Sequence, residues 1–146
     1  MIENVNAIIN NFNPDKIVYV KSTGKALVIS LKGFSTKALP TPEFDSRLKL
    51  VNHTIFTKVN TGDAFESREL ENFLRDKNAK EIVLTGLLAE NCISATALGG
   101  KKRGYEIILV PEAIAGKSNS SKEKALEKLK KEGLKSLPLN ELIIKP

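Results

Sequence analysis

Among these 146 residues, three side chains have the types a reaction would use: the single cysteine, Cys92, the single histidine, His53, and Lys58, which closes the apolar stretch Thr54-Ile55-Phe56-Thr57. Cys92 follows the buried-strand pattern Ile82-Val83-Leu84, a break at Gly86 and a short crossing segment. It stands where a helical pattern opens through Ile93, Ala95, Thr96, Ala97 and Leu98. A thiol at a helix N-terminus meets the positive end of the backbone dipole and unpaired N–H groups, which favour the thiolate that attacks carbonyl carbon. Free cysteine is also among the most buried residue types, so packing is the alternative reading of Cys92. Lys58 reads either as a surface charge at a strand end or as a site cation. His53 has no second His or Cys at ligand spacing, so it reads as a surface or packing residue and no metal site is expected.

Positioning those groups requires a folded scaffold, and the composition supplies one. Hydrophobic residues make up 41% and charged residues 27% of the chain, ordinary values for a soluble globular protein. The length suits one domain spanning residues 1–146. No run approaches the roughly 20 apolar residues that cross a bilayer, and no basic-then-apolar leader opens the chain. A lone cysteine cannot make an internal disulfide, so the expected location is the cytoplasm. The net charge of +6 and pI near 9.4 raise nucleic acid as a partner. The lysines of SKEKALEKLKKEGLK, however, are mixed with Glu123, Glu127 and Glu132, as on a solvated helix face, and no basic cluster is interleaved with aromatics. We therefore assign the charge to solubility, with neither nucleic acid nor membrane as partner.

Ile2, Val5, Ile8, Ile9 and Phe12 recur at helical spacing, and Asn13-Pro14-Asp15 ends that helix. Strand patterns follow at Lys16–Val20 and Ala26–Leu31, and residues 33–50 show no period. A helix is expected over residues 67–77 with Ser67 as its cap, then strands at 81–85 and 105–110 around the helix after Cys92. Ser120 and Glu123 have capping-box spacing for a helix Lys122–Glu132 stopping at Gly133, and a segment Leu137–Ile144 closes the chain. Apolar strands alternating with helices predict an α/β fold, a parallel sheet covered on both faces. Ligands of such sheets bind outside the C-terminal strand ends, where Gly86–Cys92 falls.

The segments FTKVNTGDAF, ELENFL, IVLTGLLAENCISAT and KRGYEIILVPEAIAG resemble, in order and spacing, the isochorismatase-like cysteine hydrolases, a family that includes nicotinamidases and carbamoyl-group amidases. The most specific match is Gly86, Leu87, Cys92, Ile93, Thr96 and Ala97. The resemblance covers roughly the C-terminal two thirds. It implies a three-layer α/β/α sandwich with a Rossmann-like sheet and an Asp–Lys–Cys triad, Cys92 as nucleophile and Lys58 as the triad lysine. It further implies a non-proline cis peptide between Leu87 and Leu88, and an oxyanion hole from the backbone N–H groups of Leu88 and Cys92. No cofactor is implied, the substrate is a small molecule, and self-association into a homo-oligomer is expected.

Three departures from the pattern stand out. The family's opening strand ends in the triad aspartate, whereas this chain starts directly in what resembles the following helix. Asp15, Asp45, Asp63 and Asp76 all stand elsewhere. Phe65 follows Lys58 by one residue more than usual, with Asp63 in a slot that is often serine, and Glu112-Ala113 replaces the usual Asp-Ala. Ala26–Leu31 resembles the opening strand, with Ser30 at the aspartate's place, and is a candidate to fill it. Two functions are therefore expected from the sequence. One is a hydrolase of small amide, imide or carbamoyl C–N bonds through a Cys92 thioester; the other is an inactive relative acting as a binding or subunit-interaction protein.

Overall fold

The computed structural model describes residues 1–30 and 33–144. Its first helix, α1 (Ile2–Asn11), is followed by a single tight turn, Pro14–Lys16, capped by the Asn13 side chain, which accepts from Asp15 N at 3.0 Å. That turn delays the first strand beyond the predicted Lys16: β1 runs Tyr19–Thr23 and pairs in parallel with β4, Ile55–Val59. Farther along, β5 (Glu81–Leu87) pairs in parallel with β6 (Glu106–Ala115), and β6 with the short β7 (Lys135–Ser136). Helices α2 (Arg68–Asp76), α3 (Ser94–Lys102), α4 (Asn119–Lys131) and α5 (Leu139–Ile144) complete the α/β alternation.

The strand β6 explains the layering. Its side chains alternate faces, as the pleat dictates. Ile107 and Leu109 enter one cluster with Phe65, Ala97 and Leu129, while Val110 joins Ile8 and Leu142 in a second. Helices α3 and α4 thus cover one face of the sheet, and α1 and α5 the other. Beyond Pro111 the phase inverts: Ala113 faces the α1–α5 side and Ile114 the opposite one. Proline offers no N–H to the ladder. The pairing accordingly jumps from Leu84–Leu109 to Gly86–Ile114.

Three expectations are corrected here. The segment proposed to fill an opening central strand forms β2 (Lys25–Ser30) and pairs antiparallel with β3 (Gly33–Ala38), in a two-stranded hairpin of its own. Leu31 lies outside the described residues. The register closes at Ser30–Gly33, with Gly33 at φ +115°, a conformation open to glycine. Residues 33–38 were expected to be irregular because Ser35 to Ala38 are exposed and no burial pattern marks the strand. Finally, α4 starts at Asn119 because Ser118, not Ser120, is its cap, accepting from Ser121 N at 3.1 Å. It does stop where expected, with Gly133 at φ +84°.

Candidate active site

Lys58 lies inside β4 rather than at its end, with Val59 following it in register against Thr23. It shares a face of the strand with Phe56, whose ring packs 5.5 Å from that of Phe73 on α2. Only 5% of Lys58 is exposed. Its Nζ donates to Gly62 O at 2.8 Å and to Thr61 O at 3.2 Å. Among the described residues Lys58 is in none of the ion pairs within 4 Å, and the acceptors of its hydrogen bonds are these two carbonyl oxygens. A buried lysine held by two carbonyls is not a surface charge.

Cys92 does not open a regular helix, as its sequence pattern suggested. It is the fourth residue of a widened turn, Ala89–Ile93, of the i to i+5 type, which runs into α3 at Ser94. Such turns cost helical regularity and recur at functional sites. Extended Leu88 (φ −91°, ψ 144°) precedes the turn, and its carbonyl accepts from Asn91 N at 3.1 Å and Ile93 N at 3.2 Å. Ser94 Oγ donates to Ala89 O at 2.6 Å. The peptide bond between Leu87 and Leu88 is cis. Gly86 has φ +119°, where a β-carbon would be strained. The Cys92 side chain is partly exposed, and Leu87 is 57% exposed.

Gly62 brings Lys58 and Cys92 to one place. A methyl group added there would lie 3.0 Å from Ala95 Cβ and 3.9 Å from Cys92 Cα. The residue that accepts from Lys58 therefore abuts the cysteine turn. Thr96 locks this approach: its Oγ1 accepts from Ala64 N at 3.0 Å and donates to Gly62 O at 3.1 Å. The remaining parts of the constellation lie around this contact. Leu88 precedes the turn and Cys92 lies within it, and a cavity of about 310 Å³ is lined by Lys58 together with Thr57, Val59, Glu66 and Glu69.

Two carboxylates near the site have other partners. Asp63 Oδ1 accepts from Phe65 N at 2.9 Å and Oδ2 from Arg103 Nη1 at 3.0 Å. The Arg103 guanidinium also sits 5.6 Å from the centre of the Phe65 ring, which stacks on Tyr105. Asp63 is thus a fastener between the Lys58 loop and the end of α3. Glu90, two residues before Cys92, reaches across to the loop after β6: Oε1 accepts from Lys117 N at 2.7 Å, and Oε2 is buried without a hydrogen-bond partner among the described residues. Sequence reasoning passed over Gly62, Glu90 and Arg103. Only the proximity of Glu90 to Cys92 could have signalled any of them.

Comparisons with known proteins follow the same lines. An Isochorismatase domain model matches residues 1–140. The secreted isochorismatase effector Isc1 of Verticillium dahliae is 32% identical over 71 residues, 49% of this chain and 37% of that protein. This chain spans less than half the length of the curated relatives it matches. A pyrazinamidase of Pyrococcus horikoshii, solved in complex with zinc, superposes with a TM-score of 0.68 at 25% identity, covering 94% of this chain and 84% of that one. A nicotinamidase/pyrazinamidase of Acinetobacter baumanii superposes with a TM-score of 0.73 at 16% identity, over 97% of this chain and 84% of the other. Zinc does not fit the residues present here: among those described, no three His, Cys, Asp or Glu side chains gather, and His53 is exposed. No described helix is long and apolar enough to cross a membrane.

Proposed function

Because this chain belongs to the isochorismatase domain family, we propose that it is a cysteine hydrolase of small amide, imide or carbamoyl compounds, with residues 1–140 acting within a single domain of residues 1–146. The thiolate of Cys92 attacks the substrate carbonyl carbon. The N–H groups of Leu88 and Cys92 hold the developing oxyanion, the C–N bond breaks, and the nitrogen leaves with a proton. Water then attacks the thioester carbonyl and releases the acid and the thiol. Lys58 supplies positive charge beside the turn and holds Thr61 and Gly62 in place. The observation that carries this reading is the buried Lys58 ammonium bound to the carbonyl of Gly62, the residue that abuts Cys92.

The nicotinamidase and pyrazinamidase neighbours support an amidase substrate. The substrate is small, the expected location is cytoplasmic, and the chain is expected to work as a homo-oligomer. The test is ammonia release from a panel containing nicotinamide, pyrazinamide and simple carbamoyl compounds. Turnover should vanish in Cys92→Ala with the circular dichroism spectrum unchanged, since only one sulfur atom is removed. Lys58→Met should slow acylation strongly. A full-rate Cys92→Ala protein would refute the assignment.

One observation favours the second reading, a non-catalytic binding protein: among the described residues no carboxylate pairs with Lys58 to take the thiol proton. A folded protein silent on the whole panel, with Cys92→Ala indistinguishable from wild type in every binding assay, would select it.

A further inference from the structure

The turn that carries Cys92 is attached to the rest of the molecule in two ways. Its apolar side chains Ala89 and Ile93 are 0% and 4% exposed and lie in one cluster with Ala125 and Leu129 of α4. Glu90, between them in sequence, reaches out of the turn. It crosses to residues 116–118, the linker between β6 and α4, where Oε1 accepts from Lys117 N at 2.7 Å. A charged acceptor at that length makes one of the stronger hydrogen bonds open to a backbone N–H.

Gly116 permits the approach. A β-carbon there would stand 2.9 Å from Glu90 Oε2 and 2.9 Å from Lys122 N, closer than real side chains come. The carboxylate therefore fills the space that any other residue at 116 would need, and it faces the first turn of α4. The positive end of that 13-residue helix offsets part of the cost of burying an anion. Part of the cost stays, because Oε2 has no hydrogen-bond partner among the described residues. A half-satisfied buried carboxylate is a poor device for stabilising a fold. Its reach suits a different task, fixing a widened turn against a neighbouring linker.

We propose that Glu90 is a positioning residue for Cys92. It ties the nucleophile's turn to the 116–118 linker, and the linker thereby sets where the thiol and the N–H groups of Leu88 and Cys92 point. Glu90 acts through the turn and not on the substrate. The consequence for catalysis rests on the hydrolase reading, whereas the tie itself is measured without turnover.

Two substitutions separate the tie from the charge. Glu90→Gln keeps an oxygen that can accept from Lys117 N and removes the charge; Glu90→Ala removes both. In Glu90→Ala, hydrogen exchange should quicken on the order of tenfold at residues 89–93 and at Lys117, with β6 unchanged. Ammonia release should lose on the order of tenfold or more in kcat, with KM changed less than about threefold. Glu90→Gln should recover most of both. Gly116→Ala tests the tie from the other side. Its β-carbon displaces the carboxylate, so it should quicken exchange at 89–93 and lower kcat, and do much less of either when Glu90 is already alanine.

Unchanged exchange at 89–93 in Glu90→Ala would overturn the proposal. So would equal losses in Glu90→Ala and Glu90→Gln, which would assign the effect to charge, or strict additivity of Gly116→Ala with Glu90→Ala. Quickened exchange with kcat intact would leave the tie and remove the positioning role. A wild-type protein silent on the whole substrate panel would remove the hydrolase reading alone, and the exchange measurements would still decide whether Glu90 fixes the turn.

Discussion

Strands β5 and β6 lie side by side, run parallel and read alike, EIVLTGL beside EIILVPEAIA, yet they are buried to different degrees. Ile107 to Val110 on β6 are 0–2% exposed, and Ile82, Val83 and Leu84 on β5 are half-buried. The difference lies in their neighbours. β6 has β5 on one edge, β7 on the other, α3 and α4 over one face and α1 and α5 over the other. β5 has one strand. Apolar composition states what a strand can bury, and its neighbours decide what it does bury.

The largest effect should come from emptying the better-packed strand. Leu109, 1% exposed, contacts side chains from α3 and α4, and Leu109→Ala should cost about 2–5 kcal/mol of unfolding free energy. The matching change one strand over, Leu84→Ala, should cost about half as much, because part of that side chain already meets water. Urea denaturation of both variants measures the contrast directly. Equal losses would break the comparison and mean that β5 is covered in solution.

Next in size is the clasp between the loop after β4 and helix α3, which follows β5. Thr96→Val keeps the shape and removes a hydroxyl that bonds both Ala64 N and Gly62 O while itself being buried. The loss should be about 1–3 kcal/mol, since a buried N–H is left unpaired. Exchange at the amides of residues 61–65 should quicken more than at β6. An equal change at β6 would show that Thr96 acts on the whole core rather than on the junction.

How much of this was legible follows the same division. Cys92 stood out because a strand pattern, a glycine break and a helical pattern meet in one contiguous stretch, whereas the cis bond between Leu87 and Leu88 was implied only by the family resemblance of that stretch. The helix faces were legible because burial repeats every three to four residues, as in Leu70 and Phe73 of α2. Burial of Lys58 was not, because the covering atoms, the carbonyls of Thr61 and Gly62, come from backbone that carries no side-chain signal. The hairpin β2–β3 was hidden by an exposed second strand, and Ala26–Leu31 was a candidate for a central place through its resemblance to the family's opening strand, because an apolar run does not name its partner. That β4 and β5 fall into separate sheets among the described residues was least legible of all. Strand patterns mark strands, and pairing between them depends on distant chain.

A smaller prediction concerns the helix that covers β6. Ser118 caps α4, which buries Ala125 and Leu129 against the strand side packed by Leu109. Ser118→Ala should cost about 1 kcal/mol. Combined with Leu109→Ala it should add less than the sum of the two, because both loosen the same cluster, whereas with Leu84→Ala it should be closer to additive. Strict additivity in both pairs would mean that α4 does not discriminate between the strands.

The smallest effect should come from Asp45, an exposed residue that pairs with neither strand, and it serves as the baseline for the others. The Asp45 carboxyl is held at about 2, below its ordinary 3.8, first by the side-chain hydrogen bonds of Arg47 and then by the Arg47 backbone N–H. A carboxyl whose folded value is depressed contributes stability above its unfolded value and loses it as pH falls through the folded one. The difference in melting temperature between wild type and Asp45→Asn should therefore be small and flat at neutral pH, shrink below 3.8, and vanish as pH passes about 2. Both side chains are solvent-exposed, so salt should shrink the difference further. A difference that grows on acidification would reverse the sign. One as large as that of Leu84→Ala would mean that this turn supports the open side of the sheet, and the contrast between β5 and β6 would then need the loop as well as the missing neighbour.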